Sequence, residues 1–185
     1  GYVRVSSDGP LVVGQRTFNQ TPSGTLGQYI QPLEAGAGPR YLVGLLGAPG
    51  FRTNLGLVNF ESSPVAALVD LGAGLGLVLP AHAGTQLNRV ELWPSFEPEG
   101  SSAVVRTDGL VGSYASVVDG ATGDPTYVAG TGAARAGVVA GVAHARGDNG
   151  TRWRSDLYLF APRVAAEVEL RFQRFEETDP AATQR

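Results

Sequence analysis

The chain has 185 residues, 43% hydrophobic and 17% charged, with 14 Lys and Arg against 17 Asp and Glu and a formal net charge of −3. That balance offers no basic footprint for nucleic acid or an anionic membrane surface, and the hydrophobic content excludes a disordered chain. The absence of Cys excludes disulfides and thiolate metal sites, while 26 Gly and 12 Pro point to a turn-rich all-β fold rather than a helical one.

Taken in chain order, short apolar runs fall at 2–5, 11–13, 54–59, 65–71, 75–79, 103–106, 111–118 and 157–160, each bounded by Gly, Pro, Asp, Asn or Ser. The clearest strand follows them. Val164, Ala166, Val168, Leu170 and Phe172 alternate with Ala165, Glu167, Glu169, Arg171 and Gln173, the period of two expected of a half-buried strand. No segment holds a capped helical period over three turns, and no apolar run approaches the roughly 18 residues of a membrane span. Strands at this spacing predict a β-sandwich. The chain also lacks Met, which points to a processed product or a fragment.

The sequence repeats at about 100 residues. Val-Ser-Ser-Asp-Gly at 5–9 matches Val-Arg-Thr-Asp-Gly at 105–109, and Asn19 falls on Asp119. Arg52-Thr-Asn54-Leu55 matches Arg154-Ser-Asp156-Leu157, and Val65-Ala-Ala-Leu-Val-Asp-Leu71 matches Val164-Ala-Ala-Glu-Val-Glu-Leu170. The order predicts a back half-repeat first, a complete repeat at 41–130, and then a front half that stops short of the counterpart of 79–90. The expected domains are therefore a sandwich at 41–130, a second one from 1–33 plus 138–175, and a flexible tail at 176–185.

Phe51-Arg-Thr-Asn-Leu-Gly-Leu-Val-Asn59 and Tyr114-Ala-Ser-Val-Val-Asp-Gly-Ala-Thr-Gly-Asp-Pro-Thr-Tyr127 resemble a tandem motif set of uncharacterised secreted bacterial proteins. Trp153-Arg-Ser-Asp-Leu-Tyr-Leu-Phe160 and Arg16-Thr-Phe-Asn-Gln-Thr-Pro-Ser-Gly-Thr25 resemble its alternate repeat. The resemblance implies extracellular, immunoglobulin-like β-sandwich modules with no assigned activity. The expected fold is thus two such modules, one contiguous and one built from the N- and C-terminal segments, within one chain or between chains.

Little in the sequence announces chemistry. His82 and His144 have neither metal-ligand spacing nor a nucleophile motif beside them. Asp119-Gly-Ala-Thr-Gly-Asp124 has the carboxylates and glycines of a calcium loop, but its repeat mate keeps only Asn19 and Gly24, so a turn is the shared requirement. Arg146-Gly-Asp148 spells an adhesion tripeptide within what reads as a Gly-Asp-Asn-Gly turn. Asn19 and Asn149 head glycosylation sequons. Arg52 and Arg154 recur two residues before Asn54 and Asp156, which points to a ligand site or, as the favoured reading, to a buried or edge ion pair that sets strand register.

These observations predict a non-enzymatic extracellular structural protein without cofactor or metal, a surface filament or fibre subunit. Its partner is a further copy of itself, joined head to tail by strand complementation. The expected assembly strands carry Val3, Val5, Leu11, Val13, Leu157, Leu159, Val164, Val168, Leu170 and Phe172. The alternative is an adhesive module that binds surface glycans or proteins through Trp93, Trp153, Tyr127 and Tyr158.

Overall fold

The structure is a computed structural model that describes residues 1–22, 24–162 and 165–172. It is all-β, with antiparallel sheets joined by tight turns. Within 40–129, β3 (Arg40–Leu45), β4 (Phe51–Asn59), β5 (Val65–Asp70), β6 (Gly74–Leu79), β7 (Gly84–Leu87), β8 (Ser101–Thr107), β9 (Val111–Asp119) and β10 (Pro125–Ala129) form two four-stranded sheets. Their orders are β10-β9-β4-β7 and β3-β8-β5-β6. Outside them lie two hairpins, β1 (Gln15–Thr21) with β2 (Gly24–Ile30) and β11 (His144–Arg146) with β12 (Arg152–Arg154).

Both four-stranded sheets turn one face to a shared core, and the alternation of residues shows why. In β5, Val65, Ala67 and Val69 point inward while Ala66 and Leu68 are exposed. β4 contributes Leu55 and Leu57, β8 Ala103 and Val105, and β9 Val111, Ala115 and Val117 to the same cluster. Each fully buried Leu adds about 2–3 kcal/mol of transfer free energy. The longest ladder, β4 with β9, runs from Phe51↔Asp119 to Asn59↔Val111.

Two of the crossings between the sheets interlock. β3 pairs with β8 in one sheet, while the strands that follow them, β4 and β9, pair with each other in the opposite sheet. Neither sheet can therefore be removed without carrying strands of the other. This arrangement is β-sandwich-like and occupies the region where the sequence predicts a complete unit.

Edges are handled locally. β3 is an edge strand with a bulge between Val43 and Leu45, where Gly44 takes a φ of 84°, a left-handed value that a side chain would strain. Near the start of β3, Tyr41 and Thr131 exchange two backbone hydrogen bonds of 2.8 and 3.1 Å. The sheet edge at β7 is approached by Tyr2, whose ring lies against Gly84 and whose hydroxyl donates to the His82 carbonyl.

Candidate assembly surface

The flanks differ sharply from the sandwich. Val3 is 82% exposed, Val12 98% and Val138 96%, and Val5, Leu11, Leu157, Leu159, Val168, Leu170 and Phe172 are also exposed; Val13 is half-buried. Val164 and the expected tail at 176–185 lie outside the described residues, as does the end of the 138–175 segment.

Several expected strands do not form. Residues 2–5, 11–13, 157–160 and 165–172 have no ladder partner among the described residues. A strand is held by its neighbours' hydrogen bonds, and period-two alternation alone does not supply them. Among the described residues β1 pairs with β2 and β11 with β12, and no ladder joins the described parts of 1–33 and 138–172.

The segment after β12 nevertheless has a place. Tyr158 sits over Gly44 and Gly100, and Phe160 meets Tyr41 at a ring separation of 5.9 Å. Burial raises the Tyr158 phenol pKa, and the negative charge of Asp156 raises it further. At the other end of the chain, Arg4 Nη1 lies 3.2 Å from His82 Nδ1. The β1–β2 hairpin rests on the outer face of β9 and β10, where Gln28 Nε2 donates to Ser116 Oγ at 3.3 Å and Tyr127 donates to the Gln31 carbonyl at 3.4 Å.

The residues considered for chemistry are mostly engaged in turns or stand apart. His82 takes a positive φ of 50° in the loop before β7, and His144 opens β11. Asp119 accepts from the Ala121 amide at 2.8 Å and the Thr122 hydroxyl at 2.9 Å. Those bonds, the Ala121 amide first, hold its carboxyl below the usual aspartate range. Asn19 is exposed on β1, and Asn149 lies in the 3₁₀ turn Asp148–Gly150, the place of the Arg146-Gly-Asp148 tripeptide's last residue.

The ion pair expected for Arg52 and Arg154 is not found among the described residues; both side chains are exposed. Register is fixed at that level by Glu91, which the sequence did not single out. Its side chain is only 5% exposed, and it accepts from the Thr53 amide at 2.9 Å and from Arg89 Nε at 3.2 Å. It lies in the 3₁₀ turn Val90–Leu92, whose buried Val90 anchors it to the core. Glu91→Ala is expected to cost about 1–2 kcal/mol by orphaning the Thr53 amide, and Glu91→Gln, which keeps a carbonyl acceptor, about half as much. Urea unfolding curves of the two variants check this.

A second residue missed by sequence is Asn59, which is 1% exposed at the end of β4. Its Nδ2 reaches the carbonyls of Ser63 at 2.8 Å, Leu79 at 3.2 Å and Pro80 at 3.0 Å, while Oδ1 accepts from the Glu61 amide at 2.8 Å. The local signal was an asparagine at the end of an apolar run, before Phe-Glu-Ser-Ser-Pro.

No protein-family model, curated protein or solved structure matches this chain. No helix among the described residues is long and apolar enough to cross a membrane.

Proposed function

We propose that this chain is a non-enzymatic structural protein of the cell exterior, a filament or fibre subunit assembling head to tail by strand complementation. The observation that carries the reading is the row of exposed apolar residues in the flanks, set against what the sandwich does with matching sequence. In the sandwich, front strand β3 pairs with back strand β8, and front strand β4 pairs with back strand β9 on one side and with β7 on the other. In the flanks, the front-type segment 138–172 and the back-type segment 1–33 have no such partners among the described residues.

Segments that have lost their partners expose apolar side chains and unpaired backbone groups, which a complementary strand from another molecule satisfies. The two flanks are unlike surfaces, so their contact is heterologous and does not close on two copies. Head-to-tail growth follows. The immunoglobulin-like character and the two-module organisation belong to this proposal, with the second module completed across the contact.

The test is assembly of the full chain as concentration rises, read by light scattering coupled to size exclusion and by negative-stain microscopy. Oligomers that grow with concentration and appear as filaments are expected. A strictly monomeric species at millimolar concentration would sink the proposal.

The alternative, a glycan- or protein-binding module, has less behind it. Trp153 is 65% exposed, but Trp93 packs against the core, Tyr127 stacks on Tyr114 and Tyr158 covers Gly44. The four aromatics are not gathered as a stacking surface.

A further inference from the structure

The contact between flanks can be assigned a register, an inference that rests on the strand-complementation reading. We infer that residues 153–161 of one copy pair antiparallel with residues 11–19 of a second copy in the register that β4 and β9 use inside the sandwich. Sequence correspondence sets Trp153 to Ala161 on Phe51 to Asn59, and Leu11 to Asn19 on Val111 to Asp119. Carrying over the β4–β9 ladder then places Asp156 opposite Arg16, Tyr158 opposite Gly14, Leu159 opposite Val13 and Phe160 opposite Val12.

Two of these pairs are changed from the sandwich in a compensated way. Asn54 stands opposite Ser116 in the ladder, and their counterparts are Asp156 and Arg16, an acid facing a base on the outer side of the sheet. Asp156 has no ion-pair partner among the described residues, and Arg16 donates to the Thr25 hydroxyl at 2.7 Å and covers the Phe18 ring. Opposite charges directly across a ladder stabilise it, and like charges there oppose it.

The second pair is steric. Gly56 stands opposite Tyr114, whose ring lies so close over the glycine that a Cβ there would overlap it. In the flanks the two residue types have exchanged strands, with Tyr158 on the front strand and Gly14 on the back one. One ring and one glycine remain at that level, so the space requirement is unchanged. On the core side the same register brings Leu157 and Leu159 to the face shared with Leu11 and Val13, with Gln15 and Thr17 as polar members.

Other registers lose these matches. A slip of one residue turns each strand's core side outward relative to its partner. A slip of two sets Asp156 opposite Phe18 or Gly14 and Tyr158 opposite Arg16 or Val12. Only the unslipped register satisfies the charge pair and the ring–glycine pair together. To enter it, Tyr158 must leave its present site over Gly44 and Gly100.

Because the chain has no Cys, engineered thiols report this pairing without background. The full chain carrying Thr17→Cys and Ser155→Cys, which the register sets opposite each other, is oxidised beside a chain carrying Gln15→Cys and Ser155→Cys. The first is expected to form a ladder of covalent oligomers roughly tenfold faster than the second, because disulfide geometry tolerates little offset. In parallel, Arg16→Asp and Asp156→Arg should each weaken assembly roughly fivefold or more, and the double variant should restore it. Fast linkage of the offset pair, or charge exchange without rescue, overturns the register while wild-type filaments leave the assembly reading standing. A disulfide confined to the monomer overturns the second copy as occupant. Absence of oligomers in the wild-type chain overturns the assembly reading and the register with it.

Discussion

Asn59→Ala is expected to lower the stability of the sandwich by about 3–4 kcal/mol, more than any polar substitution outside its core, because each buried group left without a partner costs about 1–3 kcal/mol. The amide of Asn59 binds together the end of β4, the turn at Ser63 and the exit of β6 at Leu79 and Pro80. Its removal strands carbonyls that water cannot reach easily, together with the Glu61 amide. A urea midpoint lower by about 3 M, for a slope near 1 kcal/mol/M, is the expected reading. An unchanged midpoint would show that these carbonyls find other donors.

Asn59→Asp sharpens the prediction through its pH dependence. The new carboxylate would face three carbonyl oxygens with nothing to donate, so burial and repulsion favour its protonated form and raise its pKa in the folded state. Its penalty is therefore full above the folded pKa and shrinks as pH falls toward the unfolded value. The variant is expected to be less stable than Asn59→Ala at neutral pH, with the gap narrowing in acid. Parallel melting curves at several pH values measure it.

Gly56→Tyr is the second large effect, at about 3 kcal/mol or more, since overpacking a filled site forces side chains from their rotamers and shifts backbone. The new side chain would collide with Tyr114, which stacks on Tyr127 at 5.9 Å and donates to Gln86 Oε1 at 3.1 Å. The informative variant is the double one. Gly56→Tyr with Tyr114→Gly moves the ring to the other strand and reproduces the arrangement proposed for Tyr158 and Gly14. Recovery of more than half the lost stability is expected in the double variant, read as a coupling free energy from denaturation of all four species. Simple addition of the two single losses would remove the steric basis for the flank register.

These predictions also mark where sequence was legible. The alternation of Val65, Ala67 and Val69 needed nothing beyond its own period, because β5 lies between two partners and one face is core. Val164, Ala166, Val168 and Leu170 show the same period, yet the described part of that stretch is irregular. Pattern reports what a strand would bury, whereas a ladder depends on what lies beside it. Glu91 and Asn59 were illegible for a different reason: Glu91 holds the Thr53 amide, and Asn59 adds to its local bonds with Glu61 and Ser63 the carbonyls of Leu79 and Pro80, distant groups that no local motif encodes. The Arg52 expectation failed because duplication of a residue was read as duplication of a contact, while its side chain points to solvent.

The bridge between Tyr41 and Thr131 has a mechanical consequence. Because it is antiparallel, the chain entering at Arg40 and the chain leaving after Thr131 run side by side from the same end of the sandwich. A load applied between the two flanks would not pull along the length of the ladders. It would open them from the end where the two hydrogen bonds of the bridge stand. The sandwich would hang from a tensioned line as a pendant, shielded from force until that clasp gives way, and then yield by peeling rather than by shear.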